Sequence, residues 1–272
     1  MDELYVASRR ALLDALEALA DQGESVILIG AHAVYLYTGE GDVPIATRTK
    51  DSDLALDPSQ LQDSPLLEEA MSKAGFHRNL EGGQPGEWIS ADGIPVDLLV
   101  PESMVPSKGR RSAQIPPHSP LAARKVAGLE AAVIDNRELW VEALGEDDRR
   151  RIKVRVASPA ALAVSKAHKL GERQTEPGRL IDKDAHDLYR LLVAVETAEM
   201  VEGFLLLLAD PRSAEVAEQA LVFMTDLFAA PNSIGSLMAG RVEEGVGEPE
   251  NVAASVSILA RELIEGVAAA RG

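Results

Sequence analysis

The stretch Arg48-Thr49-Lys50-Asp51-Ser52-Asp53-Leu54-Ala55-Leu56 constrains this 272-residue chain more than any other. Its apolar end reads as a strand, and in an extended chain residues i and i+2 point to the same face, so Asp51 and Asp53 aim side by side at one spot. Two like charges held that close call for a cation. Hard oxygen ligands of this kind suit Mg2+, which usually completes its octahedron with substrate phosphates. For an isolated Asp-x-Asp the plainer reading is a surface strand opening with solvated acids, so the neighbours decide.

Upstream, residues 3–21 place Leu4, Ala7, Ala11, Leu12, Ala15, Leu16 and Leu19 at helical spacing, a stripe that should cover a sheet. Ser25-Val26-Ile27-Leu28-Ile29 reads as a buried strand that ends at Gly30 and leads into a helix over 31–37. A glycine there lets backbone approach a ligand, and the N–H groups behind it, Ala31 among them, can meet a phosphate. Residues 39–47 read as loop. His32 follows the glycine, and a single histidine near a helix start is more often a capping or packing residue than a ligand.

Downstream, 58–74 has helix-compatible spacing. Trp88–Ser90 and Ile94–Val100 read as a hairpin around Asp92-Gly93. Asp97 stands among apolar neighbours, where a carboxylate is costly unless it is paired or binds a metal. Pro95 would suit an edge strand on which Asp97 simply faces water. Residues 101–120 hold five prolines and read as loop. The pattern then predicts a second hairpin, 130–134 with 137–144 about Asp135-Asn136, and a strand over 152–156. Ser158-Pro159 is a good helix start. Helices are expected over 159–172, 182–196, 198–209, 211–229 and 250–270.

Composition excludes some classes. With no cysteine there are no disulfides and no thiolate metal sites, which fits a reducing, cytoplasmic setting. The first residues, Met1-Asp2-Glu3-Leu4, do not read as a secretory leader, and no apolar run is long enough to cross a bilayer. A net charge of −17 argues against a general nucleic-acid binder. Residues 108–179 are nevertheless net positive, with Lys108, Arg110, Arg111, Arg124, Lys125, Arg149-Arg150-Arg151, Lys153 and Arg155. This basic island could hold a polyanion locally, or could be solvated loops and strand faces. The histidines His77, His118, His168 and His186 show no paired zinc-ligand spacing.

Taken together, the strand, Gly30, the helix, Asp51-x-Asp53 and the later Asp97 resemble the nucleotidyltransferase superfamily, whose fold is similar to the catalytic domain of DNA polymerase beta. More narrowly, Arg48-Thr49-Lys50-Asp51-Ser52-Asp53 with Ser165-Lys166-Ala167 and Lys183-Asp184-Ala185-His186-Asp187-Leu188 resembles the AbiEii-type nucleotidyltransferases, which include toxins of toxin-antitoxin pairs. The resemblance covers about residues 25–195. It implies an α+β fold, with a mixed sheet and flanking helices in a catalytic domain over 1–157 and a helical domain over 158–272.

It also implies roles. Asp51, Asp53 and Asp97 would hold Mg2+, and Asp97 would help deprotonate the attacking hydroxyl. Gly30, Ala31, Arg48 and Thr49 would line the nucleotide, and Lys166 would meet the triphosphate as a point charge. Of Asp184 and Asp187, one would orient Lys166 and the other brace the boundary between the domains. Where the superfamily often has Gly-Ser or Gly-Gly after the first strand, this chain has Gly30-Ala31, so a hydroxyl contact is missing.

The activity so implied is Mg2+-dependent transfer of NMP from an NTP to an acceptor hydroxyl. The acceptor would be RNA, a tRNA end, and an antitoxin protein would be a partner. A small-molecule acceptor such as an antibiotic, and a non-catalytic binding protein on the same fold, are the alternatives. No membrane partner is implied.

Overall fold

The computed structural model describes residues 3–39, 49–79, 83–106, 111–174 and 180–272. The expected loop over 39–47 lies, after Gly39, outside the described residues, as do Arg48, Lys108, Arg110 and the first two residues. The described residues form two compact units. One takes those of Met1–Ala33 and Thr47–Ala157, the other those of Val34–Ala46 and Ser158–Gly272.

The first unit is built on a mixed sheet. Its strands are β1 (Val26–Ile29), β2 (Ser52–Leu56), β3 (His77–Arg78), β4 (Glu87–Ile89), β5 (Pro95–Pro101), β6 (Arg124–Val126), β7 (Asn136–Glu142) and β8 (Arg151–Ala157). Among the described residues they run in the order β3-β4-β5-β2-β1-β8-β7, with β6 also paired to β5. β1 is antiparallel to β2 and parallel to β8, and β2 is parallel to β5.

Alternation along β2 and β5 sorts two faces. Leu54, Leu56, Val96, Leu98 and Val100 are fully buried, and Ser52 Oγ donates to Ser8 O of α1 (Glu3–Ala18), so α1 covers their face. The other face carries Asp53, Ala55, Asp97 and Leu99. A short helix, α4 (Glu130–Ile134), packs against β8, β1 and β2.

Three expectations are corrected here. Residues 130–134 are helix α4, and the hairpin is made by β7 and β8, paired in register from Asn136↔Ala157 to Glu142↔Arg151. Four apolar residues, Ala131–Ile134, bounded by turns have no period to separate strand from helix. The helix expected over 58–74 shrinks to α3 (Leu67–Lys73). Ahead of it the chain is held in turns: Asp57 Oδ1 accepts from Ser59 N and Oγ, and the Gln22 side chain bonds Gln62 N, Gln62 O and Pro65 O. Finally, β5 is an interior strand, hydrogen-bonded to β4, β2 and β6. Pro95 is its first residue, a position where a missing N–H is tolerated.

The second unit is helical: α5 (Pro159–Gly171), α6 (Asp182–Ala194), α7 (Thr197–Ala209), α8 (Ala214–Phe228), α9 (Ile234–Arg241) and α10 (Pro249–Arg271). Five of these were expected; α9 was not. Ser158 caps α5 through its hydroxyl, which accepts from Ala161 N, with Pro159 at the first helical position. Phe204, Leu207, Met224, Phe228, Met238, Val256 and Leu263 are fully buried between the helices. The residues of α2 (Gly30–Thr38) from Val34 onward count with this unit. Among the described residues no helix is long and apolar enough to cross a membrane.

Candidate active site

Strand register brings the acids together. Asp53 pairs across the parallel ladder with Asp97, and Asp97 pairs across the antiparallel one with Glu87, so the three carboxylates form a row on one face. Asp53 also pairs with Ile29, the residue before Gly30. The β1–α2 turn therefore lies at the head of the row.

Gly30 has φ of 69°, a left-handed conformation that L residues avoid, and a Cβ there would overlap Asp53 Oδ2 and lie 3.0 Å from Asp53 Cβ. The Asp53 carboxylate thus occupies the cradle that a side chain at position 30 would fill. Gly30→Ala should cost about 1–2 kcal/mol from backbone strain alone and should push Asp53 out of line. The expected outcome is a lowered denaturation midpoint with a larger proportional loss of activity, measured on the same preparation.

Burial pushes the Asp97 carboxyl up. Arg124 opposes that shift, and the nearby charges of Asp51 and Glu87 add to it. Arg124 Nη2 donates to Asp97 Oδ2 at 2.6 Å, with the two side chains 17% and 16% exposed. Glu87 is engaged elsewhere, accepting from Gln84 N and Asn79 Nδ2. Asp51 is exposed at the mouth of β2, and Thr49 is buried just before it. Among the described residues no three acidic or histidine side chains already converge as a metal cage. The donor set is still chemically right for Mg2+, a hard cation commonly held by one or two carboxylates plus substrate phosphates.

His32 is a packing residue. Its Nδ1 accepts from Arg9 Nε at 3.2 Å, which leaves the ring proton on Nε2, 3.0 Å from Ser8 Oγ, and the ring stacks on Tyr5. These bonds fasten the first turn of α2 to α1.

In the helical unit Lys166 stands in the middle of α5 and is 5% exposed. Its ammonium donates to Asp184 Oδ1 at 2.8 Å and to Asp187 Oδ2 at 2.5 Å, both on α6. One aspartate was expected to orient Lys166 and the other to brace the domain boundary; both bind the ammonium. Lys169 Nζ lies 3.0 Å from the same Asp184 oxygen. Burial would lower the Lys166 ammonium, but the two carboxylates overturn that and raise it above its ordinary range. Burial would likewise raise Asp184, and Lys166 and Lys169 instead hold it below the usual carboxylate range.

The basic island is largely matched by local partners. Arg150 pairs with Asp148, Asp14 and Glu17. Arg151 pairs with Glu142 and lies over the Trp140 ring, Lys153 pairs with Glu138, and Arg155 donates to Asn136 Oδ1 and Glu24 O. Arg149 and Arg111 are exposed. Sequence reading placed Arg124 in this island and missed its bond to Asp97. The two stand 27 residues apart, and only the β5–β6 pairing joins them.

Comparison with curated proteins and with solved structures gave no match. A family model described as nucleotidyltransferase matches residues 10–203, a span that takes in the carboxylate row, the β1–α2 turn and the Lys166 cluster. The chain belongs to this nucleotidyltransferase family, and so is a transferase that moves a nucleoside monophosphate group from a nucleoside triphosphate.

Proposed function

We propose that this nucleotidyltransferase is an AbiEii-type, Mg2+-dependent enzyme that transfers NMP to a hydroxyl of RNA, a tRNA end, and acts as the toxin of a pair neutralised by an antitoxin protein. The observation that carries the catalytic half is the register Asp53↔Asp97 beside Gly30, which sets two carboxylates against a turn where backbone can approach a phosphate. The catalytic domain is assigned to 1–157 and the helical domain to 158–272.

Asp51, Asp53 and Asp97 are the residues that would hold Mg2+. When bound, the ion supplies charge neutralisation and alignment of the triphosphate. The chain's own groups do the rest. The N–H groups at Gly30 and Ala31, at the positive end of α2, take phosphate oxygens, and Arg48 and Thr49 are assigned to the nucleotide as well. Asp97, made more basic by burial, is assigned to accept the acceptor hydroxyl's proton. Lys166 has one N–H beyond those given to Asp184 and Asp187, and is assigned to the triphosphate. Asp184 and Asp187 hold it in position.

The test is incubation with each labelled NTP and Mg2+, with and without total tRNA. Label should enter tRNA. Label that enters only added small molecules would favour an antibiotic-type acceptor, and no transfer from any NTP would leave a binding protein. The RNA reading is supported by the family resemblance and by the exposed Arg149. Arg149→Ser should therefore lower the slope of log K against log salt for tRNA binding by about one. An unchanged slope would remove Arg149 from the RNA surface.

A further inference from the structure

We propose that Arg124 is a tethered cation that balances Asp97 in the nucleotide-free enzyme and gives this carboxylate up to a divalent ion bound together with NTP. Arg124 would thus be a positioning residue that ties metal binding to nucleotide binding. The inference rests on the reading of Asp97 as a metal ligand.

The pair is short, 2.6 Å, and little exposed, so it is a strong charge-assisted bond and more than a surface contact. The Arg124 backbone is held by pairing on both sides. β6 pairs with β5 at Leu99↔Arg124, and on its other side Arg124 bridges to Ser112. Trp88 Nε1 donates to Ala122 O at 3.0 Å, fixing the approach. Gly86, with φ of 80°, packs so closely that a Cβ there would meet Arg124 N at 2.7 Å. Release of Asp97 is therefore assigned to the Arg124 side chain.

Charge explains what the device would do. Asp53, Asp97 and Glu87 share one face and Asp51 acts on the same carboxylate, so without Arg124 the row would attract any free divalent cation. A guanidinium on Asp97 repels that cation until triphosphate oxygens add their own negative charge. The partners of Arg150, Lys153 and Arg155 lie outside this row, which sets Arg124 apart from those members of the basic island.

The experiment titrates full-length protein with Mn2+ as probe, following free Mn2+ by electron paramagnetic resonance, without nucleotide and with a non-hydrolysable NTP. Wild type should bind Mn2+ weakly alone and, beyond the Mn2+ that the same NTP holds without protein, tightly with the NTP. Arg124→Gln should bind Mn2+ alone about tenfold or more tightly than wild type, because a repelling unit charge has gone from a weakly screened site. Arg124→Lys should behave like wild type, and adding Asp97→Asn to Arg124→Gln should abolish the gain. If Arg124→Gln gains nothing while wild type with NTP still binds Mn2+, the Arg124 proposal falls and the metal reading stands. If no protein binds Mn2+ even with NTP, both fall. Should Arg124→Gln not fold, wild type decides by the Arg124 Nε–Hε NMR signal, assigned by its absence from Arg124→Lys. The signal should shift when Mg2+ and the non-hydrolysable NTP are added together but not with either alone, and a signal unmoved by both together overturns the proposal.

Discussion

Asp53→Asn is expected to lower nucleotidyl transfer by roughly 10²-fold or more while the thermal midpoint stays within a few degrees of wild type. Asp53 sits between Ile29 and Asp97 in the ladder and presses against Gly30, so its carboxylate faces the β1–α2 turn from the centre of the row. Asparagine keeps the shape and removes only the charge. The backbone pairs survive, and what disappears is half the negative charge that Asp53 and Asp97 bring to their shared position. Transfer from labelled NTP, measured with Mg2+ raised until the rate levels off, is the check. Near wild-type turnover at that plateau would sink the metal assignment, and a collapsed melt would show that Asp53 is structural.

Lys166→Met should have the largest effect on stability. Removing the ammonium leaves Asp184 and Asp187, both nearly inaccessible, facing each other with Lys169 as a partial substitute. Stranding one side of a buried pair costs about 3–5 kcal/mol, and urea melts followed by circular dichroism would read it. The pH dependence has a definite sign. Asp184 is held below its unfolded value, so its contribution is complete above about pH 4 and is lost as pH falls through the lower folded value. Lys166 is raised, so its contribution is complete below about pH 10 and is lost as pH rises through the higher folded value. Wild-type stability from this cluster should therefore be flat between those limits. In Lys166→Met the buried Asp184 carboxylate loses the largest of the charges that hold it low and can escape part of its penalty by taking up a proton, so the gap to wild type should narrow from pH 8 to pH 5. Asp184→Asn and Asp187→Asn added to Lys166→Met should recover part of the loss. A gap that stays constant with pH would mean that ordinary packing, and not charge, is what Lys166 provides.

What sequence could reveal divides along the reach of the interactions. The strand that carries Asp53 was legible because the apolar run Leu54–Leu56 announced it. Asp97 stood out as a charge among Val96, Leu98 and Leu99. Five of the six helices of the C-terminal unit followed from Ser158-Pro159 and from regular spacing, and α9 did not. The losses occurred where a distant partner decides. Gln22 holds 62–65 in turns and so shortens α3, although the apolar spacing there suits a helix. Residues 130–134 lack length enough to show a period, and packing against the sheet made them helix α4. Arg124 looked like one more member of a basic island until pairing of β5 with β6 set it on Asp97. Charge counted along the chain also misled, because Arg150, Arg151 and Lys153 are matched by acids from α1, β7 and the turn between β7 and β8.

The placement of the two tryptophans has an optical consequence. Trp88 is 1% exposed and bonded to Ala122 O, and Trp140 is 47% exposed on β7, so one should emit in the blue and the other in the red. Both belong to the sheet unit, and the chain has no others. Tryptophan fluorescence, excited at wavelengths that tyrosine does not absorb, therefore follows the sheet unit alone, while far-ultraviolet ellipticity is dominated by the helices. The blue component further singles out the stretch that delivers Arg124. Overlay of the two melting curves separates cooperative unfolding of the whole chain from independent loss of either unit, with no label attached.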